Sequence, residues 1–188
     1  MPLVGGYSSA PSTLESLVPL LHAPFHPIGV GVAQIVTLPG QVVFSLLLVG
    51  VAAWRLWTRG RQEVAVCWLA AWLVAVPVEV VFRHTLTREP LYRHGMHLVG
   101  FDSSWPSGHA LRCALVAGAL ATAWPRLRIP LAIWLAAAVI LLELAGLHTP
   151  TDLAGGLLLA TAAAAGALTL ASSGRLRRRG LRLRRSSA

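Results

Sequence analysis

Two histidines stand at the entrances of two apolar segments. Pro106-Ser107-Gly108-His109 opens one, and His148-Thr149-Pro150-Thr151-Asp152 opens the other. Glu79, Arg83, His84, Arg88, Arg112 and Glu143 also lie at the edges of apolar runs or just inside them. Ionisable groups at such places in a membrane segment are costly and are kept for a use. Together they match the demands of phosphoryl transfer, which needs a nucleophile, an acid for the leaving oxygen and positive donors around the transferred oxygens. Histidine can fill either of the first two roles, and arginine suits the third.

The elements that must position these groups are apolar helices. The 188-residue chain is 55% hydrophobic and 12% charged, with a mean hydropathy of +0.65. The charged share is about half that of a soluble domain. A soluble fold of this size could not hide so much apolar surface. One membrane domain is expected over residues 1–174, followed by a basic tail at 175–188. Runs at 41–57, 64–82, 109–124, 129–147 and 151–171 each approach the ~20 residues that a helix needs to cross the hydrocarbon core. Prolines 19, 24, 27 and 39 break up the N-terminal part, residues 1–39. An interfacial helix near 13–23 and a short apolar helix near 28–38 are expected there, or else a sixth span. The expected fold class is an all-α polytopic transmembrane helix bundle, with five or six spans and an interfacial N-terminal helix.

Arginine placement predicts the orientation. The chain has 16 Lys+Arg, all of them arginine, and a net charge of +9. With five spans, Arg55, Arg59, Arg61, Arg126, Arg128 and the tail arginines fall on one side. The opposite 83–108 loop holds Arg83, Arg88 and Arg93. The arginine-rich side should be cytoplasmic. The protein is then expected in the plasma (inner) membrane, with the 83–108 loop and the 148–150 turn extracytoplasmic. Trp54, Trp57 and Trp124 fit a cytoplasmic aromatic belt, and Trp105 an outer one. The tail suits anionic lipid headgroups, so membrane lipids are expected partners and nucleic acid is not. Cys67 and Cys113 lie in apolar runs without a CxxC partner, and neither a disulfide nor a zinc site is expected. The N-terminus lacks a basic n-region and does not read as a cleaved signal. Heavy use of Ala, Leu and Arg with no Asn suggests a bacterial, GC-rich source.

At these residues the chain resembles the type 2 phosphatidic acid phosphatase superfamily, which also includes the vanadium haloperoxidases. That family carries Lys-x6-Arg-Pro, then Pro-Ser-Gly-His, then Ser-Arg-x5-His-x3-Asp. The second motif is matched by Pro106 to His109, and the His-x3-Asp half of the third by His148 and Asp152. The resemblance covers roughly 79–160. Arg83 looks like a substitute for the family lysine. The two family arginines are replaced by Pro90 and Leu142, with Arg88 the nearest base to the first. Arg112 fits a Pro-Ser-Gly-His-x-x-Arg variant of the second motif.

The resemblance implies a membrane lipid phosphatase. His148 would attack phosphorus and carry a phosphohistidine, and Asp152 would bond its other ring nitrogen. His109 would protonate the leaving oxygen and then deprotonate water. Arg83, Arg112, Arg88, the Ser107 hydroxyl and the Gly108 N–H would hold the phosphate oxygens, aided by the following helix N-terminus. No metal or other cofactor is expected, because arginines and helix N-termini supply the positive charge. The substrate would be a lipid phosphate such as a polyprenyl (for instance undecaprenyl) phosphate or diphosphate, or a phosphatidate-like lipid.

Plainer roles compete at several positions. Thr149-Pro150-Thr151-Asp152 is also a good helix start, with Asp152 as a capping acid. Ser107 can serve as an N-cap alone. Glu79 and Glu143 are expected in structural ion pairs with nearby arginines. His94 and His97, with His84, could suggest a metal site, but no carboxylate or thiol cluster accompanies them. The 94–97 stretch reads better as part of a lid over the headgroup. Two further functions stay open on the sequence: a non-catalytic lipid-phosphate binder or transporter with a degenerate site, and a lipid phosphotransferase.

Overall fold

A computed structural model describes residues 28–85, 92–93, 96–97, 105–145 and 147–186. The described residues form six α-helices: α1 (Ile28–Val36), α2 (Val42–Thr58), α3 (Gln62–Thr85), α4 (Gly108–Ala123), α5 (Arg128–Leu144) and α6 (Pro150–Ser186). Each apolar run of the sequence becomes one helix, and the expected short helix near 28–38 is α1. The expected interfacial helix at 13–23 lies outside the described residues. Among the described residues the one departure from helix is a small hairpin, in which β1 (Tyr92–Arg93) pairs antiparallel with β2 (Met96–His97).

Three helical segments are long and apolar enough to cross a membrane: Gln62–Thr85, Pro125–Leu144 and Pro150–Thr169. Helices α2 and α4 are apolar but shorter, at 17 and 16 residues. The last helix does not stop where the apolar run ends. It continues through the basic stretch for 37 residues in all.

Helix α4 is the centre of the bundle, and α2, α3, α5 and α6 all pack against it. Small residues make this close packing possible. A Cβ at Gly118 would overlap the Trp68 ring of α3, and one at Gly156 of α6 would overlap the Ser107 carbonyl. Two indoles find polar partners across the core. The Trp72 indole donates to the Ser45 hydroxyl at 3.0 Å, and the Trp134 indole donates to the Val36 carbonyl at 3.0 Å. Cys67 and Cys113 are both buried and outside any disulfide, and the Cys67 thiol donates to the Ala167 carbonyl at 3.2 Å.

The two ends of the bundle differ in character. At one end the last carbonyls of α4 accept from arginines, as helix C-termini favour. Arg55 donates to the Ala123 carbonyl and Arg61 to the Thr122 carbonyl, each at 3.3 Å. Arg55 also lies over the Trp124 ring, 4.5 Å from its centroid. At the other end meet the starts of α2, α4 and α6 and the finish of α3. All the described chemistry-bearing residues of the two motifs lie there.

Candidate active site

The chain enters α4 through a cis Trp105-Pro106 bond. Ser107 is the N-cap, with extended backbone, and its hydroxyl accepts from the Ala110 N–H at 3.3 Å. The Ser107 N–H donates to the Asp152 carbonyl at 2.9 Å. Ser107 is fully buried, so its side chain caps the helix. The expected contact to a phosphate would have to use the remaining hydroxyl proton. The first-turn amides of Gly108 and His109 are the ones that a helix leaves without internal partners. They make this N-terminus a potential anion site.

Helix α6 starts in the same way. Thr149 and Asp152 form a reciprocal capping box around Pro150. The Thr149 N–H donates to Asp152 Oδ2 at 3.1 Å, and the Asp152 N–H donates to the Thr149 hydroxyl at 3.3 Å. The buried Asp152 carboxylate therefore caps the helix and also faces His148. The His148 Nδ1 to Asp152 Oδ2 separation is 3.9 Å, which is an ion-pair distance and too long for a hydrogen bond. The bond expected between them is not formed in this arrangement, and His148 Nδ1 is buried without a hydrogen-bond partner. Catalytic hydrogen bonds are often long before substrate binds. With Nδ1 turned to the carboxylate, Nε2 is the ring nitrogen left for chemistry.

The two imidazoles come together. The His109 and His148 ring centroids are 6.3 Å apart, with the ring planes at 53°. His148 is buried and His109 half-buried.

A cationic network lies beneath them. Glu79, near the end of α3, is 1% exposed and takes Arg112 Nη1 on Oε2 at 2.6 Å. Its other oxygen is 3.4 Å from Arg83 Nη1. Arg112 Nε donates to the Gly40 carbonyl at 2.5 Å. The ion pairing expected of Glu79 is present, and it engages Arg112 deeply. Any phosphate contact from Arg112 has to use its remaining Nη donors. Arg83 is more accessible, with 28% of its side chain exposed. Gly108 has a packing reason to be glycine, because a Cβ there would overlap Glu79 Oε1 and come within 2.7 Å of Arg112 Nη1.

Other expected site residues fall elsewhere. Arg88 lies outside the described residues, as do the His94 and His97 side chains. Glu143 is half-buried near the end of α5. The arginine partner expected for it is not found among the described residues. Trp105 packs edge-on to Phe82, with centroids 5.3 Å apart, and lies over Gly155.

One contact was missed by sequence reasoning. The Gln41 carboxamide nitrogen is 3.3 Å from His109 Nε2. The available signal was a polar residue at the very mouth of the 41–57 apolar run.

A family model of the PAP2 superfamily matches residues 77–175. The chain belongs to the PAP2 superfamily. The match takes in Glu79, Arg83, the Pro106 to His109 motif, Arg112, and the His148 and Asp152 pair. PAP2 membership points to phosphatase-type chemistry on phosphate esters. Comparison with curated proteins and with solved structures gives no match. Gly40 and Gln41 lie outside the matched segment.

Proposed function

We propose that this PAP2 chain is an integral membrane lipid phosphatase that works through a phosphohistidine. The observation that carries the reading is the 6.3 Å approach of the His109 and His148 rings, from two separate helix starts, beside the buried Arg112–Glu79 pair and the more accessible Arg83. A binding pocket alone has no need of two imidazoles and a carboxylate.

In the first step the His148 Nε2 lone pair attacks phosphorus. The bond from phosphorus to the leaving oxygen breaks, its electron pair stays on that oxygen, and His109 supplies the proton. In the second step water attacks the phosphohistidine and His109 takes the water proton. The P–N bond breaks and the pair returns to His148. Asp152 stabilises the cationic ring of the intermediate. Arg83, with the Gly108 and His109 amides, holds the phosphate oxygens. Arg88 and the remaining Arg112 donors complete the cradle.

Helices α2 to α6 span the bilayer, with α2 and α4 reaching across at the cost of local thinning. The arginine-rich end faces the cytoplasm, and the histidines face the extracytoplasmic headgroup region. The phosphate of a polyprenyl phosphate or diphosphate, or of a phosphatidate-like lipid, sits at that depth.

The test is phosphate release from a panel of such lipids by purified protein, with vanadate or EDTA added in parallel. Release that survives EDTA and is blocked by vanadate is expected, since vanadate mimics the pentacoordinate phosphoryl state. The deep engagement of Arg112 by Glu79 favours one second reading, a lipid-phosphate binder. Tight lipid binding with no release of phosphate would select it.

A further inference from the structure

Gln41 occupies the N-cap position of α2 yet makes no side-chain cap bond. Its carboxamide instead reaches across to His109 Nε2 at 3.3 Å. N-caps are ordinarily short side chains such as Ser, Thr, Asp or Asn, and the longer Gln41 side chain reaches His109 instead of its own helix.

The backbone that carries Gln41 is fixed from several directions. The Gln41 N–H closes a short turn on the Leu38 carbonyl at 3.0 Å. The neighbouring Gly40 carbonyl accepts from Arg112 Nε at 2.5 Å. Gly40 itself is wedged against α4, where an added Cβ would lie 2.7 Å from Cys113 Sγ and 3.1 Å from the His109 carbonyl. Arg112 thus connects the turn before α2 to Glu79 and the end of α3. The backbone at Gln41 is held in place, and from it the exposed carboxamide reaches His109.

We infer that Gln41 is a positioning residue for His109 in the reaction proposed above, on which this inference rests. A carboxamide turns its oxygen or its nitrogen to a partner by a half-rotation of its end group. With the oxygen toward the ring, Gln41 accepts from His109 Nε2–H. That bond persists in both charge states of the ring and leaves Nδ1 as the nitrogen that gives and takes the catalytic proton. Gln41 then does for the acid what a carboxylate or carbonyl commonly does for a catalytic histidine: it fixes the tautomer and the ring plane. It does so from a segment outside the family-matched region.

The leaving group provides the test. An alkyl lipid phosphate needs its leaving oxygen protonated, whereas p-nitrophenyl phosphate releases a stabilised phenolate and needs far less help. The measurement is kcat/KM, which reports the steps up to phosphohistidine formation, for the full chain in detergent on both substrates. Gln41→Ala should lower kcat/KM by about 10–100-fold on the alkyl phosphate, a part of the factor that general acid catalysis supplies. On the aryl phosphate the loss should stay under about threefold. Gln41→Glu, which keeps an acceptor oxygen at the same reach, should recover most of the alkyl activity. His109→Ala should show the same bias more strongly. Equal losses on both substrates for Gln41→Ala, or none on the alkyl substrate, would overturn the inference while leaving the phosphatase reading intact. A wild type inactive on both substrates would sink the phosphatase reading itself, and a His109→Ala variant with no bias would overturn the acid role of His109, and the inference with it, while leaving phosphate release standing.

Discussion

The main-chain N–H of Ser107 donates to the main-chain carbonyl of Asp152 at 2.9 Å. This one bond ties the Pro-Ser-Gly-His segment to the His-x3-Asp segment without using a side chain. It fixes the starts of α4 and α6 side by side, aided by the close seat of Gly156 on the Ser107 carbonyl. The approach of the two histidines follows from this backbone clamp.

Gly156→Ala should disturb that clamp. The added methyl has backbone as its neighbour, and backbone cannot rotate away. Overpacking of this kind costs about 1–3 kcal/mol. The expected result is a lower Tm in detergent together with a fall in phosphate release. Gly166→Ala is the control, because nothing lies within 4 Å of a Cβ there.

His148→Ala should remove turnover, whereas His109→Ala should lower it by roughly 10²–10⁴-fold. Rapid acid-free quench with radiolabelled lipid phosphate should trap label on the wild-type protein and none on His148→Ala. Equal phosphate release by wild type and His148→Ala would end the assignment of the nucleophile.

Asp152 has two jobs that substitution can separate. Asp152→Asn keeps an acceptor for the Thr149 N–H and loses the charge beside His148. Asp152→Ala loses both and forfeits about 1 kcal/mol of capping. Tm should therefore fall for Ala and hold nearly constant for Asn, while kcat falls for both. If Asn retains full kcat, the carboxylate is a cap and nothing more.

Glu79→Ala should be among the most damaging changes outside the histidines. It strands the Arg112 guanidinium, in a residue 6% exposed, without its counter-charge. Breaking such a pair from one side costs about 3–5 kcal/mol. The double variant Glu79→Leu with Arg112→Met should be folded better than either single change, and thermal melts of all three variants check this. A double variant no more stable than the singles would mean that the pair matters less than its burial implies.

Orientation is testable by thiol labelling. The two native thiols are buried, so background reaction should be low. A cysteine placed at Gly95 should react with an impermeant reagent added from outside intact cells. Labelling only after the cells are opened would reverse the proposed topology.

Much of this protein was legible in the chain because the signals are local. Hydrophobic runs bounded by Pro, Gly and Arg set the helices, since each helix satisfies its own backbone within a short stretch. The Thr149 to Asp152 capping box and the Ser107 cap are also contacts within one turn, and their residue types announce them. The spacing of Pro106 to His109 and of His148 and Asp152 carried the resemblance to the PAP2 superfamily, which the family match over residues 77–175 bears out. The tertiary structure decided what depends on neighbours distant in sequence. Arg112 read as a phosphate ligand, yet it meets Glu79 and the Gly40 carbonyl. Glu143 read as an ion-pair partner, and no described arginine reaches it. Gln41 read as the mere start of an apolar run, and it meets His109. No periodicity or motif encodes such pairings, because they arise where helix ends from separate segments converge. There, a buried charge takes the nearest partner that packing brings to it, whatever its separation along the chain.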